Sequence, residues 1–188
     1  PKMLIYDVQT SFDLLENDNH KYLRNLRYYY DDSGVDSIFW RVDPLERLKM
    51  LSNCYRYNYQ WLQLISDNIH PMRSNDKGYK PMDKTMTYKP KASAHQKEDY
   101  KYDSLKLHYL EQLVVACKAN GTQLVFAVSP QFNTHDDKVY QPLKDICRKY
   151  HLPFLNHYCD KDFVDRTDYF YDSVHMNRTG ATAYTKMV

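Results

Sequence analysis

The sequence predicts an α/β domain: a parallel sheet with helices on both faces. Three observations carry this. Short apolar runs that read as strands fall at residues 2–6, 122–128 and 153–156. Segments with apolar residues at helical spacing lie at 102–119 and 137–150, between those runs, and a last helix is expected from Asn177 to the end. The connections in the C-terminal half are short, which favours strand–helix–strand units with right-handed crossovers. A chain of 188 residues fits one domain and can bury a sizeable core.

The first strand ends at Asp7-Val8-Gln9. Residues 20–30 and 43–69 read as helices. Asp43-Pro44 starts the second of these with a capping acid and a first-turn proline. Leu45, Leu48, Leu51, Trp61, Leu62, Leu64 and Ile65 predict one buried face there, with a break near Asn53. Residues 70–101 carry Pro71, Gly78, Pro81, Pro90, seven lysines and few aliphatics, so they read as a long polar insertion loop. Loops of this length are functional or disordered. A lid over a site and plain disorder both fit.

The helix at 102–119 follows from Leu107, Leu110, Leu113, Val114 and Cys117, and Asn120-Gly121 ends it through a left-handed cap. The run 122–128 is unbrokenly apolar, as in a strand buried on both faces. Ser129-Pro130 terminates it. Val139, Leu143, Ile146, Cys147 and Tyr150 give the next helix its apolar stripe.

Composition narrows the function. A net charge of +2 and a pI of about 8.4 give no nucleic-acid signature. No apolar run is long enough to span a bilayer. No signal peptide is visible, which says nothing about compartment. The four cysteines show neither C-x-x-C nor zinc-ligand spacing. Buried free thiols fit them, and so does a disulfide if the protein is exported. The 19 tyrosines suit packing as well as a sugar or peptide surface.

Ligands of parallel sheets bind beyond the carboxyl ends of the strands. That edge should hold Asp7 and Gln9, then Ser129 and Gln131, then His157, and also the loop before the last helix. The loop contains Asp172-Ser-Val-His175-Met-Asn177-Arg-Thr-Gly180-Ala181. An Asp three residues before a His can orient the imidazole through one ring nitrogen, leaving the other to take a proton from a nucleophile. Asn177 can cap the following helix, and Gly180 lets that helix approach the sheet closely. His135 with Asp136 and Asp137 reads as a solvated helix start rather than a metal site.

The block 172–181 resembles the last motif of the SGNH/GDSL hydrolase family. The helix–strand unit from Cys117-Lys-Ala-Asn-Gly121 to Ser129-Pro130 is similar to the one preceding it in cell-envelope members. The resemblance covers residues 102–188 and is vague over 8–101. It implies a flavodoxin-like sandwich and a serine esterase or acyl transferase acting on acyl groups of carbohydrate. His175 would be the general base and Asp172 its orienting acid, with no cofactor and no metal, in the cell envelope or periplasm.

The family's nucleophile turn is missing. None of the ten serines stands in a Gly-Asp-Ser, Gly-Ser-Ser or Gly-x-Ser-x-Gly setting. The glycine and asparagine blocks are not recognisable either. The chain opens at Pro1 directly into a strand, so the expectation is a sheet incomplete at its N-terminus, with the serine upstream. The alternative is an inactive relative that binds glycan or a protein partner. An unpaired sheet edge would also invite self-association.

Overall fold

The computed structural model describes residues 2–17, 20–57, 61–69, 79, 81–88 and 100–188. In chain order its elements are β1 (Met3–Asp7), α1 (His20–Leu26), α2 (Val35–Val42), α3 (Pro44–Lys49), α4 (Asn53–Tyr57), α5 (Trp61–Ile69), α6 (Ser104–Ala119), β2 (Gln123–Val128), α7 (Gln141–Tyr150), β3 (Phe154–Asn156) and α8 (Arg178–Met187). The chain divides into two compact units, one of Pro1–Glu16 with Lys80–Val188 and one of Asn17–Tyr79. The second therefore ends inside the stretch read as an insertion loop.

The first unit is α/β, with the parallel sheet expected from the sequence. Its three strands are all parallel, in the order β1-β2-β3. The centre is β2, buried along five of its six residues. Leu124, Phe126 and Val128 point to one face and pack with Leu110, Val114 and Cys117 of α6 and Leu143, Ile146 and Cys147 of α7. Both crossover helices thus share that face, as sequential right-handed crossovers require. On the other face Val125 and Ala127 are buried, while Met3 and Ile5 of β1 are half-exposed.

Local chemistry sets the element ends. Asp103 caps α6 by accepting from Leu105 N and Lys106 N, and Gly121 follows with φ 63°. β1 runs straight into a single turn of π-helix over Thr10–Leu14. Asp13 pins that turn, accepting from Tyr6 Oη at 2.8 Å and from Gln9 N at 2.8 Å.

The second unit is helical. Asp43 caps α3 through Leu45 N, with Pro44 in the first turn as expected, and α4 begins at the expected break, Asn53. The apolar face is a correction: Leu45, Leu48, Leu51, Leu62 and Ile65 are exposed. Met50 and Glu46 are buried instead, Met50 in a small core with Leu23 and Phe39. Glu46 is buried beside Arg27 and Lys49 and also accepts from Tyr55 Oη at 2.9 Å, so a polar network fills the space that the leucines were expected to occupy. The side chains of Trp61 and Leu64 lie outside the described residues.

Of the expected loop at 70–101, residues 70–78, 80 and 89–99 lie outside the described residues. Residues 81–88 are docked on the loop before α8. No helix among the described residues is long and apolar enough to cross a membrane.

Candidate active site

The loop before α8 closes on itself. Phe170 bridges Met176 in antiparallel fashion, and Tyr171 N donates to His175 O at 2.8 Å. Asp172 sits in the tip. Its Oδ1 accepts from Val174 N and His175 N, each at 2.8 Å. The same carboxylate lies 2.9 Å (Oδ2) and 3.0 Å (Oδ1) from His175 Nδ1. An ionised carboxylate only accepts, so the ring proton belongs on Nδ1 and Nε2 is left as the free acceptor. Partial burial works to raise the Asp172 carboxyl. The His175 and Val174 N–H groups and the His175 ring outweigh it and hold Asp172 below the ordinary carboxylate range. The His175 side chain is 54% exposed, so the ring faces solvent.

The tip is tied to the sheet's carboxyl edge. Phe132, in the loop after β2, donates its N–H to Ser173 O at 3.1 Å, and its ring meets Phe170 edge-on at 5.7 Å. Asn177 anchors the other side. It is 3% exposed, caps α8 by accepting from Gly180 N at 3.0 Å, and donates to Asp168 O at 2.8 Å. Asn177, expected at the ligand edge, is buried and spends its side chain on these structural bonds. Gly180 does allow a close approach, though to a turn rather than to the sheet. A methyl group there would overlap the backbone carbonyl of Tyr169.

The remaining edge residues form a second group. Asp7 Oδ1 accepts from Ser129 N at 2.9 Å and from Ser129 Oγ at 3.0 Å. Crowding by protein raises the Asp7 carboxyl, and the two Ser129 bonds offset only part of that. Ser129 thus gives its hydroxyl proton to a carboxylate, which does not make a nucleophile. His157 faces Asp160 at 3.3 Å and packs edge-on against Tyr184 of α8 at 5.6 Å. Gln9 and Gln131 sit in their turns, where Gln131 O accepts from Thr134 Oγ1. Among the described residues no hydrogen bond joins this group to Asp172 or His175. The His157–Asp160 contact spans three residues, whereas the Tyr184 contact was not legible in the sequence because Tyr184 lies 27 residues on, in α8.

Asp136 and Asp137 are taken up by Lys138 and Lys144, and His135 lies near Asp165. Among the described residues no cluster of three or more His, Cys, Asp or Glu side chains could hold a metal. All four cysteines are free thiols, and burial pushes Cys147 up to about 11.

Comparison with known proteins finds no matching family model, no matching curated protein and no matching solved structure.

Proposed function

We propose that the first unit is the base-bearing part of an SGNH-type ester hydrolase or acyl transferase that acts on acyl esters of carbohydrate in the cell envelope. The observation that supports this most is the His175 ring, bonded through Nδ1 to an ionised Asp172 on a loop fastened to the carboxyl edge of a parallel sheet. The nucleophilic serine would come from a segment outside the present sequence.

In this scheme the serine oxygen attacks the ester carbonyl while its proton passes to His175 Nε2. Asp172 stabilises the resulting imidazolium. The tetrahedral intermediate collapses, and the imidazolium gives that proton to the departing sugar oxygen. Water or an acceptor hydroxyl then attacks the acyl-enzyme, losing its proton to Nε2, and collapse of this second intermediate breaks the serine–acyl bond as the imidazolium returns the proton to the serine oxygen. No metal or cofactor is needed.

The test is turnover of an acetylated oligosaccharide by the parent protein. His175→Ala should lower kcat/KM by about 10³-fold or more. An unchanged rate would overturn the hydrolase. A second reading, a binding module without turnover, is favoured by one fact: among the described residues no serine hydroxyl is hydrogen-bonded to His175. It predicts oligosaccharide binding that survives His175→Ala with no ester cleaved.

A further inference from the structure

The tip carrying Asp172 and His175 is a solvent-facing loop, so something beyond its own turn must hold it. Besides the loop after β2, one other segment does, and it is distant in sequence. Met86 N donates to Phe170 O at 2.7 Å, and Arg178 N donates to Met82 O at 2.7 Å. These two bonds grip the chain on either side of the tip, at Phe170 before it and at Arg178, the first residue of α8, after it. Arg178 Nε reaches Asp83 Oδ1 at 2.6 Å, and Asn177 Nδ2 makes a long contact of 3.5 Å with Thr85 Oγ1. Met86 is 5% exposed and forms, with Phe132 and Phe170, a buried apolar cluster distinct from the main core.

We propose that residues 81–88 are a latch that holds the Asp172/His175 loop in its proton-accepting geometry, with Met86 as the positioning residue and Asp83 on Arg178 as a minor catch. Magnitudes rank the two. Arg178 and Asp83 are both more than half exposed, and such pairs contribute little. Met86 fills a closed cluster, and removing its side chain leaves a void under Phe170. The inference deepens the proposed function, resting on that reading only for its catalytic consequence. Its test needs no substrate.

The test is amide hydrogen exchange by NMR on the whole chain, read at Val174 and His175, whose N–H groups Asp172 accepts. The quantity is the acceleration at these two amides divided by that at Phe126 and Val128 of β2, which corrects for any global loss of stability. Met86→Ala should give a ratio of about ten or more, and the milder Met86→Val a smaller rise in the same direction. Met86→Leu, which conserves volume, should restore a ratio near one. Asp83→Ala should stay within about threefold. A ratio near one for Met86→Ala overturns the latch. If the exchange ratio rises but turnover ignores His175→Ala, the latch stands and the hydrolase reading falls.

Discussion

The two units solve the same problem, burying a core, by opposite means. In the first, Phe126, Val128, Val114 and Leu143 are almost fully buried between a parallel sheet and two crossover helices. In the second, among the described residues, Leu23, Phe39 and Met50 make the buried apolar cluster, and Glu46 lies at its side with Arg27, Lys49 and Tyr55. The Arg27 guanidinium also stacks on the Tyr55 ring, 4.1 Å from its centre. Burial of apolar surface is non-directional and indifferent to pH. A buried carboxylate contributes only while it is ionised and fully partnered. The first unit should thus be the rigid platform and the second the conditional one.

Truncation sharpens this contrast most. Phe126→Ala should cost about 3–5 kcal/mol and raise hydrogen exchange through all three strands. Glu46→Ala should destabilise the second unit by leaving the partly buried Arg27 without its carboxylate, and that loss should stay within the second unit. Both tryptophans of the chain, Trp40 and Trp61, belong to that unit, so their fluorescence reports on it alone. Strand exchange as fast in Glu46→Ala as in Phe126→Ala would break the comparison.

Acid gives a smaller effect of the same kind. Burial works to raise the Glu46 carboxyl, but Lys49, Tyr55 and Arg27 together hold it below its ordinary value. A carboxyl with a lowered folded value adds stability above its unfolded value, about 4.3. That contribution is lost as pH falls through the folded value. Inside the first unit Asp7 has the opposite sign, its raised carboxyl opposing folding as pH rises above the ordinary range, while the lowered Asp172 sits on the loop before α8 and not in the core. On acidification the tryptophan signal should therefore change at a higher pH than the β-sheet infrared band. Coincident midpoints would show the two units failing together.

The same division decides what could be read from sequence. The strand 122–128 and its flanking helices were legible because their burial is written in local apolar pattern, and the Asn120-Gly121 cap because Gly121 needs a left-handed conformation. Asp172 and His175 were legible because their contact spans three residues. The buried role of Glu46 was not, since a charge inside a helix pattern reads as solvent-facing. Leu45 and Leu48 were assigned inward for the same reason. The π-turn after β1 depends on Asp13 reaching back to Tyr6, and its sequence, Thr-Ser-Phe-Asp-Leu, has no periodicity. Residues 81–88 looked like polar loop because Met82 and Met86 are their only aliphatic side chains besides Pro81, and the partners of this stretch lie some 90 residues away. Asp7 and Ser129, 122 residues apart, could be placed together only through the parallel topology, which brought both to one edge.

The central claim is that Asp172 fixes the His175 ring with Nε2 free to accept a proton. The most direct measurement is ¹⁵N NMR of the His175 ring nitrogens at a pH where the ring is neutral. The expected result is a protonated Nδ1 and a bare Nε2, with the preference lost in Asp172→Ala. A protonated Nε2 in the unmodified protein would contradict it, because His175 could then accept no proton from a nucleophile.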